Sequence, residues 1–297
     1  MDVNLLLMHG WAGVLLLVTG GLIAGSFLNV VIHRLPAMLD REWRRQAREQ
    51  LEVDDGTRPP DAEADAETEA DAERLNLFVP RSRCPACGYR IKSMEIIPIL
   101  SWLASRGRCS NCGVAISARY PIVEALAAFA ALAAVAEFGW TWPALAAAAF
   151  AFFLIALACI DLDTQLLPDQ LTLPLLWAGL LVNAFGGITD LTSAVFGAAA
   201  GYLVLWSVYW VFRWITGREG MGYGDFKLFA AIGAWLGWTA LPAVILCAAV
   251  IGLAFALVAI VAKRRTRHQP LPFGPFLAFA GWAALMFRET AISALPM

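Results

Sequence analysis

The feature that most limits what this chain can fold into is a series of apolar runs joined by short connectors. They fall at about 1–32, 122–138, 143–161, 171–187, 192–214, 226–238, 241–262 and 273–287. Inside a bilayer no water meets a backbone N–H or C=O, so a spanning segment has to satisfy these groups itself. Runs of this length and apolarity predict helices. The expectation is an all-α polytopic membrane protein with about eight transmembrane helices. Hydrophobic residues make up 60% of the 297 and charged residues 15%. A soluble domain carries roughly 25% charge, so a soluble enzyme is excluded. The bilayer is an expected partner, and no nucleic acid is.

The first run, 1–32, has no Lys or Arg before Arg34 and is too long for a signal peptide, so it is expected to stay as a membrane helix. Gly21 and Gly25 give it a GxxxG face suited to close helix packing. Residues 33–120 form the one long polar region, and residues 121–297 a membrane domain of seven spans. The polar region holds 14 of the 22 basic residues. Within it, 39–51 predicts a short helix with Arg41, Arg44, Arg45 and Arg48, fit for anionic headgroups or for plain solvation. Residues 54–73 hold nine acidic residues, one basic residue and no large apolar side chain, which predicts a disordered insert. Without that tract the chain carries 21 basic and 15 acidic residues.

Four cysteines stand in the polar region as two CxxC pairs, Cys84 with Cys87 and Cys109 with Cys112, each followed by a glycine. The pattern predicts two knuckles converging on one tetrahedral Zn2+ site. Four thiolates leave no open coordination position, so the zinc would be structural. Two local disulfides are the competing reading, disfavoured in a reducing compartment. Cys159 and Cys247 lie within apolar runs and are expected in the core. Between the pairs, 96–103 is apolar, contains Pro98 and is too short to span.

Basic residues also mark the connectors 213–227 and 263–267, whereas those near 138–142, 187–191 and 238–242 have no Lys or Arg. This alternation predicts both termini outside and the polar region in the cytoplasm. It also puts Asp161 and Asp225 on the cytoplasmic side.

Those two carboxylates carry the chemical reading. Asp161 closes the run 143–161, and Asp225 follows Gly220-Met221-Gly222-Tyr223-Gly224 at the mouth of the run 226–238. That run of 13 residues reaches only ~20 Å at ~1.5 Å per residue, short of a ~30 Å core. It has to be tilted, broken or shielded by neighbours. A carboxylate at hydrocarbon depth points to function. Two that share a proton can hydrolyse a peptide, one activating water and the other polarising the carbonyl. Gly222 and Gly224 would let a substrate backbone approach Asp225. Asp163 and Asp169 compete with Asp161 as the first carboxylate, although Asp169 also suits the N-cap of the following helix. Asp190 reads as a turn residue, and Glu124 as a charge near a helix start. His9, His33 and His268 have no evident catalytic companion. No GxSxG or HExxH motif is present.

An ordered set of motifs resembles the bacterial type IV prepilin peptidase family, leader peptidase/N-methyltransferases of the GxGD intramembrane aspartic protease class. They are Gly25–Pro36, the double CxxC, Ile97–Trp102, Arg119–Glu124, Asp161–Asp169 and Gly220–Lys227. The resemblance implies that Asp161 and Asp225 are the catalytic pair. It also implies cleavage of the basic leader from type IV prepilins and type II secretion pseudopilins at the inner membrane. N-methylation with S-adenosylmethionine would follow. It puts zinc on Cys84, Cys87, Cys109 and Cys112, and it assigns no individual residue to the methyl donor. The acidic tract departs from the family pattern. The rival readings are a peptidase-only or methylase-only variant, a proton-coupled transporter and a zinc-ribbon scaffold.

Overall fold

The computed structural model of the chain describes residues 10–55, 76–262 and 271–287. The acidic tract (apart from its first two residues), the basic cluster at 263–267, His9 and His268 lie outside the described residues. Nearly everything described is helical. The helices are α1 (Gly10–Asp55), α2 (Leu100–Ala104), α3 (Arg119–Phe138), α4 (Trp142–Thr164), α5 (Asp169–Ala184), α6 (Leu191–Thr216), α7 (Tyr223–Leu236), α8 (Leu241–Val261) and α9 (Gly274–Met286). Single 3-10 turns lie at Ser93–Ile96 and Trp238–Ala240.

Five stretches are long and apolar enough to cross a membrane: Gly10–Gln50, Arg119–Phe138, Trp142–Thr164, Leu191–Thr216 and Trp238–Val261. By contrast α5, α7 and α9 have 16, 14 and 13 residues. At ~1.5 Å per residue they reach only ~20–24 Å.

The helix boundaries differ from expectation in ways that have local causes. The first helix does not end at 32 and restart at 39. It runs unbroken through Pro36 to Asp55. Its polar extension carries i,i+4 ion pairs, Arg44–Asp40 at 3.0 Å and Arg45–Glu49 at 3.6 Å, which support a solvated helix. α4 continues one turn beyond the apolar run and stops at Gln165, whose φ of 55° is left-handed. Asp190 is not a mere turn residue. It is the N-cap of α6, and its carboxylate accepts the Ser193 N–H at 2.8 Å.

The chain divides into two compact units, Met1–Gly21 with Leu126–Met297, and Leu22–Ala125. The larger unit is built around α7. Asp225, Phe226 and every residue from Leu228 to Leu236 are buried, so this short helix is shielded by protein along its length. Glycines make the approach possible. A Cβ on Gly197 of α6 would strike the Gly233 carbonyl of α7, and one on Gly233 would strike the Gly197 carbonyl. Gly201 lies somewhat less closely against the same helix, an added Cβ falling 2.7 Å from the Phe229 carbonyl oxygen. In lipid, where apolar side chains gain little by leaving the solvent, such small-residue seams hold helices together. On the other side, Trp235 occupies the space left by Gly179 of α5 and donates its indole N–H to the Leu175 carbonyl at 2.8 Å. Phe150 of α4 packs on the same indole, ring centres 4.8 Å apart.

The last carbonyls of α7 would be orphaned in this apolar setting. The buried Asn183 supplies their partner. Its Nδ2 donates to Ala234 O and Trp235 O at 2.8 and 3.1 Å. Its Oδ1 accepts the N–H groups of Ile188 and Thr189, both at 2.9 Å. Elsewhere in this unit, Gly21 meets the backbone of Ala127 and Ala128, one half of the GxxxG expectation.

The smaller unit packs the loop region on α1. Asn29 Nδ2 donates to Tyr120 O at 3.1 Å, and the His33 ring lies 5.2 Å from the Tyr120 ring. Glu124 is buried, and its carboxylate accepts the Ile99 N–H at 2.7 Å. The apolar stretch between the cysteine pairs forms the first 3-10 turn and α2, and Trp102 donates to Ile116 O at 3.2 Å.

The seam between α6 and α7 leaves no room for one added methyl. Gly233→Ala is expected to cost about 1–3 kcal/mol of stability. Thermal unfolding of the purified protein in detergent measures it, and an unchanged midpoint would contradict the seam.

Candidate active site

Asp161 and Asp225 reach the site from opposite helix poles. Asp161 lies in the last turn of α4, while Asp225 lies in the first turn of α7, behind the N-cap residue Gly222. Both side chains are buried, with 5% and 7% of their surface exposed. The segments that carry them converge on one side chain, Leu167. A Cβ on Gly224 would lie 2.7 Å from Leu167 Cβ, and one on Gly274 would lie 3.2 Å from Leu167 Cδ2. Gly222 stands close as well, its added Cβ falling 3.8 Å from Asp225 Oδ2. The structure therefore brings together the four residues expected here: Asp161, Asp225, Gly222 and Gly224.

A third element completes the constellation. The Gly274 N–H, at the start of α9, donates to Asp161 Oδ2 at 2.9 Å. A Cβ at 274 would come within 2.7 Å of that oxygen, so a residue with a side chain cannot hold this contact without displacing the carboxylate. Sequence reasoning missed Gly274. The available signal was Pro272-Phe273-Gly274-Pro275, a glycine set between prolines where an apolar run begins.

The two competing aspartates lie elsewhere. Asp163 is exposed on another side of the α4 terminus. Asp169 is not an N-cap: Pro168 holds that position, and Asp169 is the first residue of α5, paired with Lys227.

The second cluster is Cys84, Cys87, Cys109 and Cys112, whose Sγ atoms all lie within 4.8 Å of one another. Two near-identical turns present them. Cys84 O accepts from Gly88 N and Cys84 N donates to Tyr89 O, both at 2.9 Å. Cys109 makes the same two bonds with Gly113 and Val114, again at 2.9 Å. Gly88 and Gly113 close the turns at φ 69° and 71°. None of the four is in a disulfide. Cys84 Sγ and Cys112 Sγ are 3.9 Å apart, near the edge of about 3.8 Å in a tetrahedron of ~2.3 Å zinc–sulfur bonds. The Asn111 amide donates to Cys87 Sγ at 3.6 Å. That bond and one from the Tyr89 backbone favour the thiolate and bring Cys87 down to about 6. Backbone bonds from Cys112 and Asn111 lower Cys109 in the same sense. The donor set fits a metal ion.

The sequence matches known proteins along nearly its whole length. The sequence profile described as "Bacterial Peptidase A24 N-terminal domain" matches residues 19–138, and that described as "Type IV leader peptidase family" matches residues 148–257. Together they define a membrane peptidase of the leader-peptidase class. The prepilin leader peptidase/N-methyltransferase of Aeromonas salmonicida (strain A449) is 51% identical, over 98% of this chain and 97% of its own length. The proteins of that name from Pseudomonas aeruginosa and Dichelobacter nodosus are 46% and 49% identical, covering 95% and 90% of this chain and 92% and 88% of their own. No solved structure matches. This chain belongs to the prepilin leader peptidase/N-methyltransferase family. The leader-peptidase match ends at 257, before Gly274.

The cysteine geometry predicts one bound metal ion per chain. Cys84→Ser should lower that stoichiometry strongly, as read by elemental analysis of purified protein. Full occupancy in the variant would contradict the four-sulfur site.

Proposed function

We propose that this protein removes the leader from type IV prepilins and type II secretion pseudopilins at the cytoplasmic face of the bacterial inner membrane. It then methylates the new N-terminal amine. The observation that carries the peptidase reading is the burial of both Asp161 and Asp225, with Leu167 set against Gly224 beside Asp225 and against Gly274, whose amide binds Asp161. In water-poor surroundings two adjacent carboxylates hold one proton between them. The ionised one takes a proton from water as its oxygen attacks the scissile carbonyl. The protonated one gives its proton to the carbonyl oxygen. Collapse of the tetrahedral adduct breaks the C–N bond, and the amine leaves with a proton returned by the pair. The Gly274 amide holds Asp161 through this sequence, and Gly222 leaves room for an extended substrate backbone, while the space beside Gly224 is taken by Leu167.

A prepilin fits the place as well as the chemistry. It is an apolar helix with a basic leader, so its scissile bond lies at the bilayer rim. The basic polar region and the basic connectors support a cytoplasmic position for the zinc loop and both aspartates. Seating of the substrate helix in the membrane supplies remote binding energy that positions the bond.

Cys84, Cys87, Cys109 and Cys112 would hold a structural Zn2+. S-adenosylmethionine supplies an electrophilic methyl group when bound. The methylase half rests on the names of the relatives and on the intact cysteine module.

Purified protein in detergent, incubated with a synthetic prepilin and labelled S-adenosylmethionine, reports both reactions by mass analysis. Asp161→Asn and Asp225→Asn should each bring leader removal to background while the protein still inserts and folds. Normal cleavage in either variant would end the aspartic assignment. Gly274→Ala should lower kcat on the order of a hundredfold, as misplacement of a catalytic group by ~1 Å does.

A further inference from the structure

We infer that Lys227 and Asp169 act as positioning residues, a clamp that sets where the two catalytic aspartates stand. The inference rests on the peptidase reading above. Lys227 Nζ lies 2.6 Å from one oxygen of the Asp169 carboxylate and 2.7 Å from the other. Fifty-eight residues separate the two in sequence, and the pair ties the start of α5 to the start of α7.

The surroundings give this ion pair its meaning. At ~100° per residue, positions three apart on a helix share a face. Gly224 and Lys227 therefore present one side of α7, and that side meets the turn that follows Asp161. Leu167 lies against Gly224, and Asp169 grips Lys227. Leu167 in turn packs at Gly274, whose amide holds the Asp161 carboxylate. Asp169 follows Leu167 by two residues, so a continuous linkage runs from Lys227 through the 167–169 segment and Gly274 to Asp161. Asp225 stands two residues before Lys227 on the same rigid helix. Each end of that linkage is fixed to one catalytic carboxylate, so the clamp fixes the separation between them.

Stability does not account for the pair. Lys227 and Asp169 side chains are 30% and 50% exposed, and half-exposed ion pairs add little to folding. Two short contacts that add so little to folding mark a pair whose worth lies in position.

The test uses full-length protein in detergent with a synthetic prepilin, and it measures kcat, KM and the thermal midpoint. Lys227→Met and Asp169→Asn should each lower kcat about ten- to a hundredfold, the scale of a sub-ångström to ~1 Å misplacement, and leave KM unchanged. Lys227→Arg should keep most of the activity. The exchanged pair, Asp169→Lys with Lys227→Asp, should recover most of what the single variants lose. Single variants with wild-type kcat overturn the inference. So do a folded Lys227→Arg chain and a folded exchanged pair that both stay at the level of the single variants. Should a single variant lose its fold, those two proteins decide alone. Wild-type protein that fails to cleave prepilin would refute the peptidase reading itself. Wild-type cleavage with indifferent variants refutes only the clamp.

Discussion

The structure of the larger unit depends on one constraint: a helix of 14 residues that begins with a carboxylate has to be kept out of contact with lipid. Hydrocarbon offers nothing to an unpaired backbone group and disfavours a charge. Every neighbour of α7 answers part of that problem. α6 closes one flank through glycine backbones, α5 closes another around Trp235, and Asn183 takes the terminal carbonyls. At the N-terminal end Asp225 is buried too, and Leu167 closes on Gly224 beside it. The burial of α7 thus fixes where that carboxylate stands.

The smaller unit solves a different problem with different means. Between Asn76 and Ala118 there is little apolar packing, and many of its large side chains face outward, among them Phe78, Met94, Leu100 and Leu103. A segment with so thin a core gains order from a metal more readily than from burial. The two cysteine turns repeat one hydrogen-bond pattern, so each prepares two sulfurs before the other is in place. Ordering by such a module is local, and it does not require the helices around it to change.

Much of this was legible in the residues, for physical reasons. Apolar runs announce helices because lipid leaves few other options. The double CxxC announces its cluster because thiol spacing fixes the turn. Asp161 and Asp225 stood out as carboxylates at the edges of hydrocarbon. Helix ends were less legible. Ion pairs such as Arg44–Asp40 carry α1 far beyond its apolar part, and a left-handed Gln165 stops α4 where no glycine announces it. Gly274 was hidden because its contribution is a backbone amide, which every residue but proline possesses, delivered across 113 positions of sequence. The clamp was hidden likewise, since Asp169 reads as a helix start until its partner is seen. GxxxG spacing occurs at Gly21 and Gly25 and again at Gly197 and Gly201, and spacing alone does not reveal that the second instance grips α7.

The seam at Gly197 and Gly233 also limits how the enzyme breathes. Main chain lies on main chain there, with no pliable side chain between, so α6 and α7 travel as one stiff strut. A polypeptide strand cannot reach Asp225 by prising that strut apart. Any approach to Asp225 has to leave this seam intact.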